Sequence, residues 1–211
     1  MLRGYELRKR RKTDAVAVKA NDRAPVKLDL QWALARRVYR FPVALEDVWD
    51  GLQPVSIAGA KVWQPTLEDY FVILCAHASK HGWSSLVWIA DLAVIVFRYK
   101  DRIDWERLLD RARHGGGERQ VLLGLQLAHD VLAAGIPDAA MASLRADAAI
   151  EPLAAEFRRE LFRAVEEPAY RRSFMGRGLA YMRSRERLRD RIPYSAMLLK
   201  HLFLRATSHA G

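Results

Sequence analysis

Apolar and polar positions alternate with a period of two through the first third of the chain. "DAVAVKANDRAPVKLDLQW" (14–32) reads as two short strands joined by a turn around Asn21, Asp22 and Pro25. In the second strand Val26, Leu28, Leu30 and Trp32 share one face, and Lys27, Asp29 and Gln31 share the other. "PVSIAGAKVW" (54–63) reads as a hairpin reversed at Gly59, with a helical segment over Val43–Leu52 before it. Beyond Gln64-Pro65 the period becomes helical. "TLED" (66–69) has capping-box spacing, Tyr70, Ile73, Leu74, His77 and His81 recur on one face, and Gly82 is a stop.

Residues 84–98 are apolar nearly all round, which predicts a buried helix. "DWERLLDRAR" (104–113) is amphipathic through Trp105, Leu108, Leu109 and Ala112 and ends in "HGGG". A helix over 118–134 stops at "GIP", and two or three more come after it, broken near Pro152, Pro168 and Pro193. No internal repeat or long linker interrupts the pattern. The expectation is an α+β chain, mostly α. A small antiparallel or mixed sheet remnant occupies residues 1–63, and a helical bundle occupies 64–211.

Composition narrows the class. At 211 residues and 51% hydrophobic content the chain can bury one sizeable core or two small ones. The formal charge of +10 suits phosphate-bearing partners, but it is spread along the chain, and a run such as "RKRRK" (8–12) is also what a solvated face looks like. Cys75 is the single cysteine, so no intrachain disulfide forms and a reducing, cytoplasmic setting is expected. "LVWIADLAVIVF" (86–97) is too short to span a bilayer and is interrupted by Asp91, so no membrane role is expected.

Two constellations carry candidate chemistry. Asp29 is either the polar face of an ordinary half-buried strand or a carboxylate presented from a sheet to a metal or substrate; alternation alone favours the former. His77 and His81 lie four residues apart on one helix face that also carries Tyr70 and Leu74, so both rings are expected to point inward. On the next helix Asp91 is the only charge among Leu86, Val87, Trp88, Ile89, Leu92, Val94, Ile95 and Val96 and, if buried, needs a partner from His77, Lys80 or His81 across the short "GWSS" connection. Three readings stay open: a structural Asp–His pair, a substrate site, and a zinc site. The last lacks the glutamate of an HExxH arrangement, and Lys80 stands in the gap between the histidines. Nucleophilic hydrolysis is set aside, because Cys75 lies mid-helix and Ser79, Ser84 and Ser85 lack a Gly-x-Ser-x-Gly setting.

The ordered series "VKLDLQW", "VSIAGAKVWQPTLEDYFVILCAHASKHGW", "LVWIADLAVIV", "IDWERLLDRAR" and "LGLQLAHDVLAAGIP" resembles a bacterial nucleotidyltransferase family related to the polymerase-beta superfold. The likeness covers roughly residues 1–137, and "RSRERLRDR" (183–191) more weakly. It implies a nucleoside triphosphate substrate, an unknown acceptor, and three strand carboxylates holding magnesium (Mg2+) at the phosphates. By that resemblance Asp29 is the third carboxylate, a catalytic metal ligand. Lys27, His77, Lys80, His81 and Asp91 line the nucleotide or acceptor pocket.

The chain departs from the family pattern in two ways. Gln31 stands where the family has His, and no Gly-x-Asp-x-Asp motif precedes Asp29; "LRGYEL" (2–7) resembles the family segment on the C-terminal side of that motif. The resemblance therefore implies a truncated or split member, with an upstream chain or domain completing the sheet. The alternative is a non-catalytic basic helical module binding a partner protein or nucleic acid. It would use "RRSFMGRGLAYMRSRERLRDR" (171–191), where Phe174, Leu179, Met182 and Leu188 make an apolar face beneath a basic one. A surface helix with snorkelling arginines is the favoured reading of that stretch, and nucleic acid is not the favoured partner.

Overall fold

The structure, a computed structural model, describes residues 4–20, 24–167 and 174–208. Its first layer is an antiparallel meander of β1 (Glu6–Arg10), β2 (Asp14–Lys19) and β3 (Val26–Gln31), in that order across the sheet. The turn expected at Asn21 and Asp22 lies outside the described residues. In the β2–β3 pairing Asp14 faces Gln31, Val16 faces Asp29 and Val18 faces Lys27. Trp32 pins the sheet end: its backbone N–H donates to Thr13 (3.1 Å) and its indole N–H to the Lys12 carbonyl (2.8 Å).

Burial in this sheet is slight. Ala15 and Ala17 are buried on the central strand and Leu28 is half-buried, whereas Val26, Leu30 and Trp32 are exposed. The apolar side of β3 is thus not a covered face. A central strand in a three-stranded sheet buries small side chains easily, and the two edge strands remain open.

A second hairpin joins β4 (Gln53–Ile57) to β5 (Ala60–Gln64) through Ala58 and Gly59. Both turn residues have positive φ, 50° and 80°, as a tight two-residue reversal requires. Between the sheets lie a 3-10 turn at Arg37–Tyr39 and the short helix α1 (Leu45–Asp50).

The helices then run α2 (Leu67–Lys80), α3 (Leu86–Tyr99), α4 (Trp105–Gly115), α5 (Glu118–Leu132), α6 (Asp138–Ala146), α7 (Ile150–Glu166), α8 (Phe174–Arg183) and α9 (Leu188–Ser208). Thr66 caps α2 by accepting from the Asp69 N–H at 3.1 Å. The Asp69 carboxylate forms an ion pair with Arg111 of α4. The central helix is α5. Val121, Leu122, Leu123, Leu125 and Leu127 are buried around it, and it packs on α2, α3, α4 and α7. Val43 and Val48 join this same core from the segment before the second hairpin.

Three sequence expectations are corrected by the fold. Pro193 lies inside α9 without ending it, whereas the break expected near Pro152 is present, with α7 beginning at Ile150 and Pro152 in its first turn, where a missing N–H costs nothing; Pro168 lies outside the described residues. Helix α3 is not buried all round: Leu86, Val87, Val94 and Phe97 (62% exposed) face outward.

The stretch 171–191 is not a simple surface helix either. Residues 171–173 and the Phe174 side chain lie outside the described residues, Leu179 and Leu188 are exposed, and the buried side chains among the described residues are those of Ala180, Tyr181, Ser184, Arg185 and Asp190, with Tyr194 and Leu198 buried beyond the stretch. Arg185, far from snorkelling, is wholly buried. It donates to Gln120 of α5 (3.0 Å) and forms an ion pair with Asp190 (3.2 Å).

Helices α8 and α9 also clasp the 3-10 turn. Tyr39 packs edge-to-face on Tyr181 at 5.3 Å and beside Tyr194, and the Tyr181 hydroxyl donates to the Tyr39 carbonyl. Among the described residues no helix is long and apolar enough to cross a membrane.

Candidate functional site

Strand β3 presents Asp29 from its exposed polar face, with Lys27 two residues away on the same side. Among the described residues no ion pair engages Asp29. The register brings a second carboxylate onto that face. Asp14 of β2 stands opposite Gln31, diagonal to Asp29, a relation that separates Cβ atoms by about 7 Å. Sequence reasoning passed over Asp14. The signal that finds it is the strand register, which places it two residues from the partner of Asp29.

Asp14 is mostly shielded from solvent. It accepts from Thr13 Oγ1 and from Arg11, both at 3.1 Å. Its field also reaches Lys80 at the end of α2 and opposes the desolvation that lowers that ammonium's pKa. The Lys80 ammonium lies 5.7 Å from the Tyr39 ring. The sheet, the 3-10 turn and α2 therefore meet around this cation.

His77 and His81 do come together, with ring centroids 4.8 Å apart, and Trp88 of α3 packs against both at 5.7 and 5.2 Å. This confirms α2 and α3 as neighbours across the short connection. The rings sit at the margin of the bundle and not deep inside it: His77 is half-buried, while His81 and Tyr70 reach solvent. Desolvation, with help from Lys80, lowers the His77 pKa. His81 is pulled down to about 4, first by desolvation and then by Lys80, His77 and Arg177. Both imidazoles are neutral at pH 7 and able to donate and accept one hydrogen bond each.

Asp91 does not join them. It is exposed on α3, one turn beyond Trp88, and no ion pair links it to His77, Lys80 or His81 among the described residues. The buried Asp–His pair is therefore corrected: an exposed acid keeps its hydration and needs no partner. Nor, among the described residues, does any set of three His, Cys, Asp or Glu side chains come close enough to hold a metal ion.

Two cavities border the segment after β3, and Asp29 lines neither. One, of about 660 Å³, is lined by Trp32, Arg36, Arg37, Arg40, Glu46 and Pro193 among others. The second, of about 700 Å³, is bounded by Arg11, Lys12, Thr13, Ala33, Ala35, Arg36, Arg37 and Val38. They share the wall Ala33, Ala35, Arg36, Arg37 and Val38.

The family whose model matches this chain is described as "uncharacterised nucleotidyltransferase", and the match spans residues 1–133. No curated protein and no solved structure matches the chain.

Proposed function

The chain belongs to this nucleotidyltransferase family, and from that premise we propose that it transfers a nucleoside monophosphate from a triphosphate to an acceptor, with Asp29 as the central carboxylate. The observation that carries this reading is the shared strand face of Asp29 and Asp14, one carboxylate in water and the other held by a surface ion pair. In the reaction the acceptor oxygen bonds to the α-phosphorus and the bond to the bridging oxygen breaks. Pyrophosphate leaves, and the acceptor proton passes to a carboxylate of the site or to solvent.

The donor set fits a magnesium ion in part. Magnesium commonly takes one or two carboxylates plus substrate phosphates, and Asp29 with Asp14 meets that minimum. Releasing Asp14 from the half-exposed Arg11 costs about 1 kcal/mol or less. When bound, the ion would neutralise charge on the phosphate oxygens. A third carboxylate, as the superfold uses, would arrive on a strand added to the open edge of β1 or β3. Lys27 contacts a phosphate beside Asp29 in this reading, and Lys80, His77 and His81 face the acceptor from the bundle side. Asp91 is left outside the site.

The test is pyrophosphate release by the full chain with each of the four ribonucleoside triphosphates and magnesium. Asp29→Asn should lower turnover by about 100-fold or more, a loss typical for a group acting on transition-state charge. Equal turnover in Asp29→Asn at unchanged circular dichroism sinks the proposal.

A second reading, a non-catalytic module that holds a partner protein, draws on the outward row Val87, Val94 and Phe97 of α3. It predicts no pyrophosphate release under any of these conditions.

A further inference from the structure

We infer that the two adjacent cavities after β3 form a polyphosphate-binding site, in which Lys12, Arg36, Arg37 and Arg40 grip the phosphate chain of a nucleoside triphosphate. The inference rests on the transferase reading and supplies its missing substrate contacts.

Charge is the first ground. The larger cavity carries Arg11, Lys12, Arg36 and Arg37 on its wall and no carboxylate at all; the smaller adds Arg40 and the single acid Glu46. Arg11 is occupied by Asp14, whereas Lys12, Arg36, Arg37 and Arg40 have no ion-pair partner among the described residues. Gathering three such cations around each hollow, with Arg36 and Arg37 common to both, raises the free energy of the empty protein and lowers that of a complex with a polyanion. Three of the four are guanidinium groups, whose planar forks match phosphate oxygens in pairs.

Geometry is the second ground. The wall is held in place from both sides. The Lys12–Thr13 turn is fixed by the two hydrogen bonds from Trp32. Arg36 and Arg37 open the 3-10 turn that Tyr181 and Tyr194 clasp through Tyr39. Arg40 closes that turn in the left-handed region, φ 43° and ψ 60°, an uncommon setting for a non-glycine residue. A backbone held there by its surroundings fixes the points from which the cationic side chains reach into the cavities, which reduces the entropy lost on binding.

Position is the third ground. Arg11, on the wall of the larger cavity, pairs with Asp14, so that cavity adjoins the end of the strand face that carries Asp14 and Asp29. Phosphates gripped there lie next to the carboxylates, and the exposed Trp32 indole at the border of the smaller cavity is available to stack on a base.

The experiment measures binding of tripolyphosphate, ATP, adenosine and a single-stranded RNA to the full chain by calorimetry, without magnesium. Tripolyphosphate and ATP should bind, with affinity falling as salt rises, and adenosine should not. Arg36→Ala with Arg37→Ala should weaken both by about tenfold or more, the scale of losing charged hydrogen bonds. Arg36→Lys with Arg37→Lys should recover part of the loss, since charge is kept and the fork is not. Arg8→Ala on β1, outside the cavities, should change nothing.

Asp29→Asn should bind tripolyphosphate as the unaltered chain does. Loss of transfer with intact binding thus separates the two proposals. Absence of tripolyphosphate binding at low salt, equal affinity in the double alanine variant, or RNA outcompeting tripolyphosphate at equal phosphate would each overturn the inference.

Discussion

The three-stranded sheet and the helical bundle treat charge in opposite ways. In the bundle Arg185 is fully buried and engages Asp190 and Gln120, and Asp69 engages Arg111. On the sheet Lys27 and Asp29 stand in water without a partner among the described residues, and the Arg8–Glu6 pair is mostly exposed. The apolar side differs as much. Helix α5 is enclosed by α2, α3, α4, α6 and α7, whereas β1 and β3 bury almost nothing. Stability is therefore concentrated in the helices, and the groups free to meet a ligand are concentrated on the sheet and the arginine-rich segment after it.

The contrast breaks first where the core is emptied. Phe71→Ala removes a ring with no exposure and should cost about 3–5 kcal/mol of unfolding free energy in urea titration. A loss below about 1 kcal/mol would mean that the bundle does not carry the fold. Next comes the buried ion pair. Arg185→Ala leaves the buried Asp190 with only the exposed Arg189, 3.9 Å away, and should cost about 3 kcal/mol. The matching change on the sheet, Arg8→Ala, should stay within about 0.5 kcal/mol. Equal effects would erase the distinction between the two regions.

The smallest effect is expected from acid. The folded-state pKa of His81 lies at about 4, below the ordinary 6.5, so the unfolded chain takes up its proton first as pH falls. Stability is full above about 6.5 and declines as pH drops toward 4, by less than full linkage because the ring touches solvent. The urea midpoint should fall between pH 7.5 and 5.5, and His81→Gln should flatten that fall. An unchanged midpoint in the parent chain would show a hydrated imidazole.

Local features were legible in the sequence because their causes are local. Ala58-Gly59 specifies its own reversal, Thr66 caps the helix beside it, and a four-residue spacing puts His77 next to His81. The features that could not be read depend on distant chain. An apolar helix such as α3 looks the same whether covered or open, so Val94, Phe97 and the exposed Asp91 emerged only with the fold. Arg185 lies among several arginines, and the residue that receives it in the interior is Gln120, 65 residues earlier. Asp14 gains meaning from strand register, and the cavity arginines from the tyrosines that clasp their turn. Asp29 was found by resemblance, since alternation alone pointed to an ordinary strand.

The core also gives the molecule a built-in clock. Cys75, the lone thiol, is sealed between helices, and desolvation holds its pKa well above the usual value, so the thiolate that reacts is scarce while the bundle is shut. An alkylating reagent can then modify the chain only during opening excursions. The labelling rate reads how often the bundle breathes, with no probe to introduce, and it can be followed with and without a polyanion bound some distance away.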